Sequence, residues 1–165
     1  MTREQKIVAT GAASGIGSMI LLVWGLTELL PDPAGNAIAY ALSWLALAAL
    51  PLFFMLAAIG NARFTSEAID PTLGKESPKM IVDARVADNT LQQFVLFTAG
   101  SLALAVNLPP DQLDIIGAVS IVFVVMRLAF WIGYRIRPIY RAFGFAGTAY
   151  LNLGLLAASL WLSVT

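Results

Sequence analysis

IIGAVSIVFVVMRLAFWIGY, residues 115–134, decides the fold. It contains one charge, Arg127, and is close to the roughly 20 residues that a helix needs to cross the hydrocarbon core of a bilayer. The runs 7–30, 37–62, 89–110 and 142–165 are of similar length and carry no charge apart from Glu28. A bilayer has no water to satisfy exposed backbone groups, so such runs are helices, and they lack the alternation of barrel strands. Across the chain 59% of residues are hydrophobic and 12% are charged, against about a quarter charged in an ordinary soluble domain. The sequence therefore predicts an all-α, polytopic transmembrane bundle forming one domain. Its helices are expected at about 6–30, 36–63, 79–106, 111–137 and 139–162.

The net charge is zero, yet the cations are unevenly placed. Arg3, Lys6, Arg63, Lys75, Lys79, Arg85, Arg127, Arg135, Arg137 and Arg141 all fall on one side of a five-span arrangement. The positive-inside tendency then puts the N-terminus and the 63–85 loop in the cytoplasm and the C-terminus outside. Pro31-Asp32-Pro33 is expected to stop the first helix, Pro51 to bend the second, Pro78 to open the third, and Pro138 to break the chain between the last two. Cysteine and histidine are both missing, which removes disulfides, thiolate or imidazole metal sites, and any Cys nucleophile or His base.

TGAASGIG, residues 10–17, looks like the glycine-rich loop of a dinucleotide-binding fold. That loop should follow a strand and open a βαβ unit, whereas this one runs directly into an apolar helix. Small residues at such spacing instead allow close packing of membrane helices. Arg3 and Lys6 ahead of an apolar run also fit the front of a cleaved signal peptide, but the run is long for that role and the segment is expected to be retained.

Polar residues inside the apolar runs are the functional candidates. Arg85, Asn89 and Gln92 are spaced i, i+4, i+7, which places them within about 60° on one helix face. They could equally be a snorkelling cation and two hydrogen-bonding amides between helices. Arg127 lies about two turns from the cytoplasmic end of its helix, where a charge is costly unless it meets a partner, ligand or water. An ion pair with Asp83 or Asp88 is the structural alternative. Tyr134 and Arg141 follow at intervals of seven, approximately on the same face if helical geometry persists past Pro138. Arg135 reads as an orientation-setting cation.

The pattern Arg85-x-x-x-Asn89-x-x-Gln92-x-Phe94, then Arg127-x-x-Phe130-x-x-Gly133-Tyr134, then Arg141, resembles the membrane-associated proteins in eicosanoid and glutathione metabolism, the MAPEG family. The resemblance covers about residues 36–162 and points to a bacterial-type member, expected in an inner membrane. It implies a four-helix protomer assembled as a homotrimer, with glutathione bound between subunits near the cytoplasmic face. The first helix here would be an addition to that protomer. By the resemblance, Arg85 and Asn89 hold the glutathione peptide and Tyr134 lines the same pocket. Gln92 stands where the family commonly has Glu, Arg127 joins the cofactor-binding set, Arg141 faces the thiol, and Arg63 is similar to a further glutathione-contacting arginine.

Glutathione carries two carboxylates, which guanidinium forks suit. Lowering a thiol from about 8.5 by two units takes roughly 2.7 kcal/mol. An arginine about 4 Å away contributes on the order of 4 kcal/mol at an effective dielectric of about 20, before desolvation. The implied activity is a glutathione transferase or peroxidase in which Arg141 stabilises the thiolate and the second substrate is a lipophilic small molecule from the membrane lipid, with no metal and no nucleic acid. The alternatives are a non-enzymatic protein that binds lipids or partners, and a small transporter using Arg127.

Overall fold

The computed structural model of the chain describes residues 1–31 and 35–165. It contains five α-helices: α1 (Arg3–Thr27), α2 (Ala37–Phe64), α3 (Pro78–Asn107), α4 (Asp114–Ile136) and α5 (Ala142–Val164). Among the described residues there is no strand, and the chain is an all-α polytopic helical bundle.

The helices begin where local chemistry satisfies their free N–H groups. The Thr2 hydroxyl accepts from the Gln5 amide while the Gln5 side chain accepts from the Thr2 amide, a reciprocal cap on α1. Asn36 Oδ1 accepts from Ile38 and Ala39 at the start of α2. Ser77 caps α3 through Met80, with Pro78 in the first turn, where its missing N–H costs nothing. α1 ends at Thr27 rather than near residue 30. The Asp32-Pro33 part of its expected stop lies outside the described residues. α2 continues past Pro51 as one helix.

The break before α5 falls at Arg137, whose backbone is extended at φ −157° and ψ 131°. A following proline disfavours helical geometry at the residue before it. Pro138–Arg141 then form a 3-10 turn, so α5 starts at Ala142 and not at 139.

α4 is the central helix and touches the other four. Ile116, Val122, Phe123 and Met126 are fully buried along it, and Phe123 stacks on Phe97 of α3 with ring centroids 4.4 Å apart. Conversely, Leu21, Trp24, Phe53, Val95, Leu160 and Trp161 point outward and are exposed. An apolar exterior around a packed interior is what a lipid solvent requires. α1, α2, α4 and α5 are each long and apolar enough to cross a membrane. α3 is the most polar of the five, because Arg85, Asp88, Asn89, Gln92 and Gln93 interrupt it.

α1 packs on α5 and α4, and the 10–17 segment explains how. Gly15 is buried against the Phe143 backbone, so closely that any side-chain carbon there would collide with the Phe143 carbonyl. The glycine serves helix contact and lies inside a continuous helix, not in a nucleotide loop.

Candidate functional site

α3, α4 and the start of α5 converge on a cleft of about 260 Å³ lined by Arg85, Asn89, Phe130, Tyr134, Arg141 and Phe145. Arg85 and Asn89 come from one face of α3, as their spacing requires. Tyr134 sits in the last turn of α4 and is largely buried. Arg141 reaches it by an indirect route: the chain breaks at Arg137, turns through Pro138–Arg141, and returns so that Arg141 Nη1 donates to the Tyr134 hydroxyl at 3.1 Å. Its guanidinium carbon also lies 5.1 Å from the Tyr134 ring centroid. The seven-residue spacing thus brings the two together without an unbroken helix.

The remaining sequence candidates lie elsewhere in the chain. Arg63 at the end of α2 pairs with Glu76 at 2.6 Å, and neither lines the cleft. Gln92 is exposed on α3 beyond the cleft. Arg127 lies behind the cleft wall and is 0% exposed.

The structure corrects the pairing alternatives for Arg127. Neither Asp83 nor Asp88 meets it. Asp83 instead accepts from Arg135 through two hydrogen bonds and from the Trp131 indole N–H at 2.8 Å. Arg135 is therefore a structural partner of Asp83. Arg127 spends its donors on neutral acceptors: Nε on the Thr148 hydroxyl at 3.1 Å, Nη1 on Asn89 Oδ1 at 2.9 Å, and Nη2 on the Gly144 carbonyl at 3.4 Å. Its guanidinium carbon stands 4.3 Å from the Phe130 ring centroid. Phe130 in turn meets Tyr134 edge-on, at 5.7 Å and 90°. A continuous stack thus runs from the buried cation through two rings to Arg141, each step a favourable ring or cation contact.

Gly144 makes this possible. A side-chain carbon there would strike the backbone of Met126 and Phe130, so only glycine lets α5 approach α4 closely enough for Arg127 to reach across. Thr148 and Asn152, one and two turns further on, are also buried. Asn152 Nδ2 donates to the Gln93 carbonyl and to Gln93 Oε1, at 3.0 and 2.8 Å. These partners escape a reading centred on charges. The signal was present as Gly144, Thr148 and Asn152 at intervals of four, one small and polar stripe on an otherwise apolar helix.

Chemically, the lining of the cleft suits an anion. Two guanidiniums line it, no carboxylate of a described residue does, and the Tyr134 hydroxyl, already accepting from Arg141, can still donate its own hydrogen. A second, apolar groove of about 470 Å³ runs between α1 and α5, lined in part by Val8, Ala12, Ile139 and Ala149, and shares Arg141 and Phe145 with the cleft.

The model of the MAPEG family matches residues 41–161, which takes in every cleft residue. Transmembrane protein 79 of Mus musculus is 24% identical over 158 residues, covering 90% of this chain and 39% of the relative. Transmembrane protein 79 of Bos taurus is 23% identical over 163 residues, covering 93% of this chain and 40% of the relative. The chain thus spans about two fifths of the length of these curated relatives. No solved structure matches it. With a family match over most of the helical bundle, the chain belongs to the MAPEG family.

Proposed function

We propose that the protein is a membrane-bound, glutathione-dependent transferase or peroxidase acting on lipophilic electrophiles. The observation that carries this reading is the convergence of Arg85, Asn89, Tyr134 and Arg141 on one cleft, with Arg141 held against Tyr134. Arg85 and Asn89 anchor the carboxylates of the tripeptide by charge-assisted hydrogen bonds. Arg141 lies closest to the sulfur, which loses its proton to water and remains as thiolate beside the guanidinium. That sulfur then forms a bond to the electrophilic atom of the second substrate, whose leaving group departs with the displaced electron pair. The groove between α1 and α5 offers this substrate an apolar approach that ends on Arg141.

Several features belong with this reading. The cleft, at about 260 Å³, is smaller than the roughly 300 Å³ at which ligand pockets usually begin. A neighbouring protomer of a homotrimer supplies the missing wall, and Arg63 and Gln92 can then act from outside the protomer's own cleft. In this reading the chain crosses five times, with the cleft facing the cytoplasm and the C-terminus outside. Trp24 and Trp161, both exposed near the ends of their helices, suit the opposite interface.

The deciding experiment is glutathione titration of the detergent-solubilised protein, followed by ultraviolet thiolate absorbance. The wild type binds and shows the thiolate band, Arg85→Ala loses binding, and Arg141→Ala loses the band and turnover. No binding by the wild type rejects the cofactor, and full turnover in Arg141→Ala rejects the thiolate assignment.

A second reading, lipid binding without thiol chemistry, is favoured by one observation. Among the described residues no carboxylate lines the cleft to receive the ammonium of glutathione. Lipid retained through purification, with no thiolate band, would select it.

A further inference from the structure

Among the described residues, Asn89 is the one that lines the cleft and also accepts a hydrogen bond from the buried Arg127. A guanidinium has donors only, so the Asn89 atom facing Arg127 must be the carbonyl oxygen, and Oδ1 sits there at 2.9 Å from Nη1. The amide nitrogen is then the polar atom left for the cleft that Asn89 lines, and it makes no hydrogen bond to any described residue. Arg127 cannot rotate away to release it. Its other two donor groups are tied to Thr148 and Gly144, the Phe130 ring covers it, and it is completely buried.

We propose that Arg127 is a positioning residue that fixes the Asn89 carboxamide with its NH₂ toward the cleft, so that the cleft presents only hydrogen-bond donors and selects a carboxylate or similar oxyanion. The proposal deepens the glutathione reading by saying what sets Asn89 to grip a carboxylate and by giving Arg127 a role at a distance. A free Asn side chain could turn its oxygen outward and accept from a cation or a neutral donor. Held by Arg127, it cannot. The cleft then combines the NH₂ of Asn89, the guanidiniums of Arg85 and Arg141, and the free proton of Tyr134. A buried charge with no carboxylate partner is costly to keep, and a cleft whose polarity it dictates gives that cost a function.

Asn89→Asp separates orientation from packing. An aspartate keeps the shape and offers Arg127 an ion pair, so the full-length protein in detergent should melt at or above the wild-type temperature. The same substitution turns a donor into an acceptor on the cleft side, and anions should bind at least tenfold more weakly. Two probes are used: glutathione by titration, and sulfate by its stabilising effect on melting relative to chloride at equal ionic strength. Arg127→Met, which frees the amide to rotate, should also weaken both probes. If the wild type ignores glutathione while the sulfate effect is present and is lost in Asn89→Asp, the cofactor reading fails and the orientation claim stands. Wild-type anion binding in a folded Asn89→Asp protein overturns the claim. So does a failure of Asn89→Asp to fold, because it would deny the contact with Arg127, and so does a wild type that shows no response to either probe.

Discussion

Asp83 and Arg135 meet in a two-pronged contact, with Arg135 Nε and Nη2 each donating at 2.7 Å to separate oxygens of the carboxylate. The carboxylate is nearly buried, with 4% of its side chain exposed, and takes a third hydrogen bond from Trp131. The Arg135 guanidinium also lies 4.5 Å from the Trp131 ring centroid. This contact pins the rotation of α3 against α4 below the cleft, and hence where Arg85 and Asn89 face Tyr134.

Removing that carboxylate should therefore be expensive. Asp83→Asn is expected to cost about 2–3 kcal/mol, since its NH₂ group would face Arg135 Nη2 and the guanidinium would lose its charge partner in a largely buried place. Arg135→Lys keeps the charge but loses the planar fork, and should cost about 1 kcal/mol. Glu76→Gln, at the partly exposed Arg63 pair, should cost under about 1 kcal/mol. Equilibrium unfolding in detergent would rank the three, and an equal effect at Asp83 and Glu76 would remove the pinning role.

Tyr134→Phe tests how firmly Arg141 is placed. The hydroxyl accepts one hydrogen bond from the guanidinium, and its loss should weaken the thiolate band several-fold, in line with about 0.5–1.5 kcal/mol for such a bond. Thermal stability should change little, because ring packing on Phe130 survives. A thiolate band of unchanged intensity would show that Arg141 needs no help from the tyrosine.

Two glycines of the 10–17 segment make a controlled comparison. Gly15→Ala must push α1 away from the Phe143 backbone and should cost about 1–3 kcal/mol. Gly17 has open space around it, so Gly17→Ala should be neutral or gain up to about 1 kcal/mol from helix propensity. Melting temperatures moving in the same direction by similar amounts would argue against α1 docking through Gly15.

Arg127→Lys should destabilise the protein more than its conserved charge suggests. One ammonium cannot replace three differently directed guanidinium contacts to Thr148, Asn89 and Gly144. A loss of about 2–4 kcal/mol is expected, as for other broken buried polar networks. Chemical denaturation would measure it, and a loss under 1 kcal/mol would show that the network is loosely held.

The amino-acid order alone determined that the chain is a membrane-embedded helical bundle. Length and apolarity of a run are local properties, and a bilayer admits few other structures. The same order placed Arg85 with Asn89, because helical periodicity is also local. It marked Arg127 as unusual, because a charge in an apolar run stands out wherever the run ends up.

Which partners those residues found was decided only by the tertiary structure. Asp83 could have met Arg127 or Arg135, and the rotation of α3 on α4 chose the latter. The Pro138 break bent the chain so that Arg141 returned to Tyr134, while Gly144 let α5 close on α4 until Thr148 and a backbone carbonyl could satisfy a buried cation. Partner choice depends on distances between helices far apart in sequence, set by packing of all five at once, and no local pattern encodes them.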